Sequence, residues 1–295
     1  MSKIIISLLR CLAWLPLGLL YGLSSMIYFI IYHLLRYRRG VVRKNLTEAF
    51  PEKSDKEIKR IEKEYYHYIS QVIVETVELL HISDKEMKRR VEVRNPELVN
   101  ESVAAGHSVV LMLGHYGNWE WVQEISRYIP DNLYKASIYH PLNNKMWDAV
   151  YQKIRSRWQT HIIPQKQAPR KLLDRDNQPW VCGFIADHRP RKNTGDNVVN
   201  FLHHNTSVIY GPEELGRKTK ADYYFLEMER MKRGHYRITY HKLEPEDEGL
   251  PYPYTRAFWK AFEAAIRKKP AYWMWSHKRW KNDTLIKEGK SWKAS

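Results

Sequence analysis

The sequence predicts an α/β fold: a mixed central sheet flanked by helices and preceded by one N-terminal membrane helix. Three observations predict it. From residue 108 onward, short apolar runs with strand character alternate with segments of helical spacing. Residues 11–35 contain no Asp, Glu, Lys or Arg. The 295 residues also hold no internal repeat, low-complexity tract or Pro/Gly linker, which suits one large domain after that first segment. The expected division is a membrane helix at 1–35 and a single cytosol-facing domain at 36–295.

As a helix, residues 11–35 reach about 37 Å, enough to cross a hydrocarbon core of roughly 30 Å with tilt. A cleaved signal peptide would have a shorter apolar region and a small-residue cleavage site, and neither is visible. Arg36, Arg38, Arg39, Arg43 and Lys44 follow at once, against Lys3 and Arg10 before it, so the C-terminal side is expected in the cytoplasm. The cluster also suits anionic headgroups. Pro16, Gly18 and Gly22 leave a bent or interface-lying helix as the other arrangement.

Ser54-Asp-Lys-Glu57 is a capping box, and Ile58, Ile61, Tyr65, Tyr68, Ile69 and Val72 follow at helical spacing, predicting a long amphipathic helix to about Leu80. A second box at Ser83–Glu86 opens a short basic helix, and Asn95-Pro-Glu97 opens another. Val109 to Leu113 is an apolar run closed by Gly114, which reads as a buried strand. Trp119 to Tyr128 is predicted helical, with Glu120 in its first turn and His115 on the loop before it. Further on, Leu133–Tyr139 is strand-like, Asn143–Trp158 helical, 165–174 a short helix and Trp180–Ile185 a buried strand. Gly211-Pro-Glu213 opens a short helix. Ala221–Met228 and His235–His241 alternate like a hairpin joined near Arg233-Gly234, and Pro253–Lys268 is a helix.

The formal charge of +16 implies anionic partners: nucleic acid, anionic lipid or an acidic protein. Aromatics at 13%, with 11 Trp and 20 Tyr, suit an amphipathic, membrane-facing or ligand-lined protein. Two cysteines, Cys11 and Cys182, give neither a disulfide framework nor a CxxC metal site. The chain lacks GxxxxGK[ST], GxGxxG and HExxH, so phosphate-loop, dinucleotide and zincin chemistries have no anchor.

His115 and Glu120 are the first candidates for chemistry. A loop imidazole folded back over a helix-start carboxylate is oriented and made more basic, which suits a general base. The plainer reading is a His that ends a strand and a Glu that favours a helix N-terminus. Asp187-His188-Arg189-Pro190 follows a buried strand, where ligands of α/β sheets bind, or is an ordinary polar loop. Arg155 and Arg170 lie on successive helices and could pair with phosphate or carboxylate, or form a solvated basic face. Backbone N–H groups near Gly117-Asn118 are candidate oxyanion donors. A metal held by His115, Glu120, Asp187 and His188 is conceivable on chemistry alone, whereas adjacent His203 and His204 point to opposite faces of a strand. Trp273, Trp275, His277, Lys278, Arg279, Trp280 and Lys281 could stack on bases, meet a headgroup layer, or form a buried aromatic wall with a basic rim.

Several separated segments together resemble one family. They include Leu15-Pro-Leu, Tyr37-Arg-Arg, Val42 to Leu46, Ala49-Phe-Pro51 and Glu75-Thr76. Gly114-His-Tyr-Gly-Asn-Trp-Glu120 fits a His-x4-Glu motif, and Tyr139-His-Pro-Leu-Asn-Asn144, Arg155-Ser156, Ala186-Asp187, Phe201-Leu202, Gly211-Pro-Glu213 and Trp273 to Arg279 complete the set. In this order, behind an apolar helix, they resemble the late acyltransferases of lipid A biosynthesis, of lauroyl or myristoyl type. These belong to the wider lysophospholipid and glycerol-phosphate acyltransferase superfamily. Two positions depart from the family pattern: many members carry Arg where this chain has His140, and Gln commonly follows the Asp where it has His188.

The resemblance implies a bacterial inner-membrane enzyme, single-pass, that moves a fatty acyl chain from an acyl carrier protein thioester to a hydroxyl of a lipid A precursor. It implies His115 as general base and Glu120 as its partner, with Asn118, Arg155, Arg170 and Asp187 taken as substrate-binding candidates. No metal or other cofactor, no covalent acyl-enzyme and no nucleic-acid partner is expected. Three other readings differ in acceptor or class: transfer to a lysophospholipid, ornithine lipid or glycolipid, a membrane-tethered nucleic-acid-binding protein, and a non-catalytic lipid-binding or scaffold protein that has kept the fold.

Overall fold

The computed structural model describes residues 9, 11–141, 144–155, 160–175, 178–190, 198–246, 249–281 and 284–285. Helix α1 (Leu17–Tyr28) starts after Pro16 and continues as a π-helical turn, Phe29–Leu34. Leu17, Leu20, Tyr21 and Ser24 recur at helical spacing and are buried. They pack on Val74 of α3 (Asp55–Glu78), and Trp14 and Tyr28 stack on His81 and His67 at the flanks. The opposite face shows Leu19, Met26, Phe29 and Leu34 to the outside, each more than half exposed. Residues 17–34 are the one stretch among those described that is long and apolar enough to cross a membrane.

Helix α2 (Arg39–Ala49) lies between these two in the chain without a capping residue to signal its start; Arg38 enters it in the left-handed region. Its basic residues are partly spent inside the protein, because Arg39 and Arg43 both pair with the buried Glu62 of α3. That leaves Arg36, Arg38 and Lys44 as the exposed members of the basic cluster. The capping box predicted at Ser54 and Glu57 is present, with both reciprocal hydrogen bonds. Helix α4 (Asp84–Arg90), capped by Ser83, runs into strand β1 (Val91–Arg94), and α5 (Glu97–Ala104) follows.

Strand β2 (Val109–Leu113) is buried at every position. After it come a 3-10 helix (Trp121–Tyr128), β3 (Tyr134–Tyr139), α6 (Lys145–Arg155), β4 (His161–Pro164), α7 (Ala168–Leu173) and β5 (Trp180–Ile185). The predicted helix ends at Asn143 and 156–158 lie outside the described residues. Strands β6 (Val198–Phe201) and β7 (His204–Ser207) form a hairpin, then come α8 (Gly211–Lys218), β8 (Asp222–Lys232), β9 (His235–Lys242), α9 (Pro253–Lys268) and the short β10 (Thr284–Leu285).

The main sheet has seven strands in the order β1-β9-β8-β2-β5-β3-β4; β6, β7 and β10 form a second, three-stranded sheet. Within the main sheet only β8 and β9 pair antiparallel, so the sheet is mixed. Strands β2 and β5 sit side by side at its centre with helices on both faces, which is why they read as near-continuous apolar runs. One difference from the sequence reading matters for the site. Residues 121–128 adopt 3-10 rather than α geometry, with Glu120 just before the first turn. Such long 3-10 runs are uncommon and often lie at functional or strained positions.

Candidate active site

The site is built by strand register. Leu113 and Ile185 are paired residues of the parallel strands β2 and β5, and the Ala186 N–H continues the ladder by donating to the Leu113 carbonyl at 2.8 Å. Two residues further along each chain stand His115 and Asp187, side by side at the carboxyl ends of the central strands, where open α/β sheets gather their ligands. His115 Nδ1 lies 2.7 Å from Asp187 Oδ1, and the His115 backbone N–H donates to Oδ2 at 3.0 Å. The indole N–H of Trp273 also donates to Oδ2, at 2.9 Å. Burial by itself would raise the Asp187 pKa. The His115 charge and hydrogen bond, the His188 charge and the Trp273 indole outweigh it and hold the carboxyl below its usual range. An ionised Asp187 only accepts, so Nδ1 carries the imidazole proton and Nε2 is the basic nitrogen.

Two glycines shape the loop. A Cβ on Gly114 would lie 2.1 Å from the Phe262 ring of α9, so only hydrogen fits there. Gly117 has φ +58° and packs on the Met228 backbone of β8, which bars a side chain twice over. The loop is further held by an isolated bridge between Tyr116 and Trp273 and by the Met274 N–H, which donates to the His115 carbonyl at 3.1 Å.

The carboxylate on His115 is therefore Asp187 and not, as the sequence suggested, Glu120. Glu120 is gripped by Arg155 of α6, whose Nε and Nη2 reach its two oxygens at 3.0 and 2.5 Å, and it accepts the Trp119 indole N–H at 3.1 Å. The physical reason is the turn after Gly117, which carries Glu120 toward α6 while strand register delivers Asp187. Asn118 is also displaced from its expected role. It is fully buried, its amide donates to Glu75 of α3 at 2.7 Å, and it does not line the cleft on which His115 opens. The Gly117 N–H, a candidate oxyanion donor, is taken by the Tyr272 carbonyl at 3.1 Å. Arg170 stands in solvent with a side chain 89% exposed, opposite Asp174, and is not brought to the site.

Two histidines join the pair. The His188 ring stacks on His115 with centroids 4.2 Å apart and planes within 10°, and His277 tilts against His188 at 4.7 Å. The surrounding protein, and then the His115 charge, hold His188 down to about 4. Burial, with Arg279 and His115 outweighing the pull of Asp187, holds His277 down to about 4 as well. The aromatic segment that carries His277 is a buried wall. Trp273, Trp275, Trp280 and Arg279 are almost wholly enclosed, so no base-stacking platform is exposed there.

His115 opens on a cleft of about 670 Å³, whose wall includes Ile138, Phe184, Ile185, Val208 and Leu215. Arg155, Arg189 and Lys218 supply positive charge to the same wall, Glu214 one negative charge, and His188 a neutral imidazole. Cys182 lies buried on β5, where burial pushes its thiol up, and its nearest polar neighbour is a carbonyl, so it is no activated nucleophile. Among the described residues no three His, Cys, Asp or Glu side chains converge as a metal site. His204 is buried between the Leu202 carbonyl and Glu48, stacked on Trp280.

The residues around His115 do not point to Trp273 and His277 as its companions or to Asp187 as its partner. A signal for Asp187 existed: each strand is an apolar run, then one small residue, then an ionisable one, with the same count from the last strand residue.

An imidazole–carboxylate pair thus stands at the carboxyl ends of two central strands, open to a cleft with a lipophilic and cationic wall. The chain matches the bacterial lipid A biosynthesis acyltransferase family over residues 2–282 and belongs to that family. It is accordingly an acyltransferase acting in lipid A biosynthesis. A comparison with curated individual proteins finds no match. The apolar helix and the family agree with a membrane location.

Proposed function

We propose that the enzyme transfers a fatty acyl chain, of the lauroyl or myristoyl class, from an acyl carrier protein thioester to a hydroxyl of a lipid A precursor at the inner membrane. The observation that carries this is His115 Nδ1 held 2.7 Å from Asp187 at the floor of an apolar cleft. Nε2 of His115 takes the hydroxyl proton as the oxygen attacks the thioester carbonyl. The tetrahedral oxyanion collapses, the C–S bond breaks, and the imidazolium returns the proton to the departing thiolate. Asp187 remains charged throughout, fixing the tautomer and offsetting the imidazolium. Arg155, steadied by Glu120 and facing the same cleft, adds positive charge where the oxyanion develops.

The cationic wall suits the acidic carrier protein and a phosphorylated acceptor alike. In this arrangement the helix within residues 1–35 anchors the protein at the membrane through its outward apolar face, and residues 36–295 work from the cytoplasmic side. Purified full-length protein in detergent, given acyl carrier protein thioester and precursor lipid, tests the reading. Wild type is expected to add one acyl chain, and His115→Ala, folded, none. Near-normal turnover by that variant sinks the mechanism. A lysophospholipid acylated in preference to the lipid A precursor moves the acceptor elsewhere.

A further inference from the structure

We propose that Glu75 is a positioning residue for this transfer: its carboxylate clamps the loop from His115 to Glu120 through Asn118 and ties it to the apolar N-terminal helix through Tyr21. Glu75 lies on α3, is wholly buried, and touches neither the cleft nor His115. Its Oε2 accepts the Asn118 amide at 2.7 Å and the Tyr236 hydroxyl of β9 at 2.6 Å. Its Oε1 accepts the Tyr21 hydroxyl of α1 at 2.8 Å. Even its backbone carbonyl is used, by the Trp121 indole N–H at 2.9 Å.

The three donors to the carboxylate come from three separate elements: the loop, α1 and β9. Burying a carboxylate is costly unless its oxygens are satisfied, and burial does raise the Glu75 pKa, with Tyr236, Tyr21, Arg230 and Asn118 opposing it. An apolar residue would pack α3 on the sheet without that cost, so the carboxylate is explained by what it orients. Two helical turns before Glu75 on the same face of α3, Tyr68 donates to the Gly117 carbonyl. Asn118 in turn receives the Trp121 N–H on its own backbone carbonyl at 2.9 Å. Residues 117, 118 and 121 are thus all pinned from α3, on either side of Glu120 and two residues after His115. The Tyr21 bond extends the same clamp to the helix whose outer face is apolar.

Loosening the clamp lets His115 drift from its line to the acceptor while leaving the cleft wall intact. The expected signature is a loss in kcat with little change in KM. For Glu75→Gln, which turns one acceptor oxygen into a donor facing donors, the loss is put at about 10- to 100-fold, the scale of a small misplacement of a catalytic group. Tyr21→Phe, which removes one hydroxyl and is expected to fold, should lose about threefold. Val42→Ala, a core change on α2 that removes none of these hydrogen bonds, serves as the stability control. Full-length proteins are compared in one detergent or vesicle preparation, with kcat per folded molecule and KM for acyl carrier protein thioester measured beside thermal midpoints.

The clamp is overturned if Glu75→Gln loses no more kcat than Val42→Ala, or if its loss lies in KM. Wild-type kcat in Tyr21→Phe overturns the link to the helix. The inference rests on the acyl-transfer reading, and the two fail differently. A wild-type protein that moves no acyl group removes both; an active wild type with unaffected variants removes the clamp alone.

Discussion

Trp273 and Asp187 are joined by a 2.9 Å hydrogen bond from the indole to the same carboxylate oxygen that receives the His115 backbone N–H. The segment after the last long helix is thereby built into the site, and Asp187 is fixed by donors on two sides before it meets the imidazole. Its role should separate cleanly from that of Glu120. Asp187→Asn is expected to lower kcat by about 10²- to 10⁴-fold, the usual contribution of a positioned base, with a normal circular dichroism spectrum. Glu120→Gln should cost less. If Glu120→Gln is the more damaging in steady-state assays, the assignment of Asp187 as the partner is wrong.

Glu120 and Arg155 form a largely buried pair, with side chains 5% and 19% exposed. Removing one member leaves the other charge without its match, at a cost of about 3–5 kcal/mol. Arg155→Met alone should therefore destabilise more than Arg155→Met combined with Glu120→Gln. Urea unfolding of the two single variants and the double variant measures the coupling, and simple additivity would count against the pair as drawn.

The imidazoles beside His115 give the fold an acid-sensitive limb. His188 and His277 are held down to about 4 by their surroundings, while an unfolded histidine titrates at about 6.5. Between these values the unfolded chain binds protons that the folded one does not, so stability rises with pH across that window. The share of the two histidines is expected to fall as pH drops from about 6.5 towards 4, His188 contributing less because part of its ring meets solvent. Glu78 and Glu124, raised by burial to about 7, act in the opposite sense. Asp187, depressed in the fold, adds its own loss only below the ordinary carboxylate range. Denaturant midpoints between pH 7 and 4 should show the slope in wild type and a flatter one in His188→Gln/His277→Gln. An identical slope in the two proteins would place the sensitivity elsewhere.

Gly114→Ala should be disproportionately destabilising for a single methyl group. The added carbon falls on the Phe262 ring, and overpacking of this kind costs about 1–3 kcal/mol. Phe262→Leu in the same protein is expected to restore part of the thermal midpoint. Failure of that second change to help would mean that the backbone, rather than the ring, sets the limit.

Much of this architecture is legible in the residues. Trp180–Ile185 and Pro253–Lys268 occupy the predicted ranges, and Ser54 caps its helix as the box implies. These are features written locally, by run length, period and capping chemistry. Strands β1 and β4 are four residues each and exist because distant partners, β9 and β3, complete their hydrogen bonds. The β6–β7 hairpin escapes notice for another reason. Its turn puts Leu202 and His203 at φ +49° and +65°, a conformation usually signalled by Asn or Gly. At the site, His115 stands out through its own neighbourhood, whereas Asp187 is 72 residues away. Only the pairing of two strands reveals that their overhangs are of equal length.

The outward side chains of α1 carry a kinetic consequence. Among the described residues nothing covers Leu19, Met26, Phe29 and Leu34, so in the membrane-bound state proposed above a lipid phase is their solvent. Enzyme and lipid acceptor then meet by lateral diffusion in two dimensions, and what matters is moles of acceptor per mole of lipid, not per litre. Adding inert phospholipid to vesicles should slow the reaction at constant bulk concentration, as surface dilution requires, while doubling the volume of buffer should leave this encounter untouched.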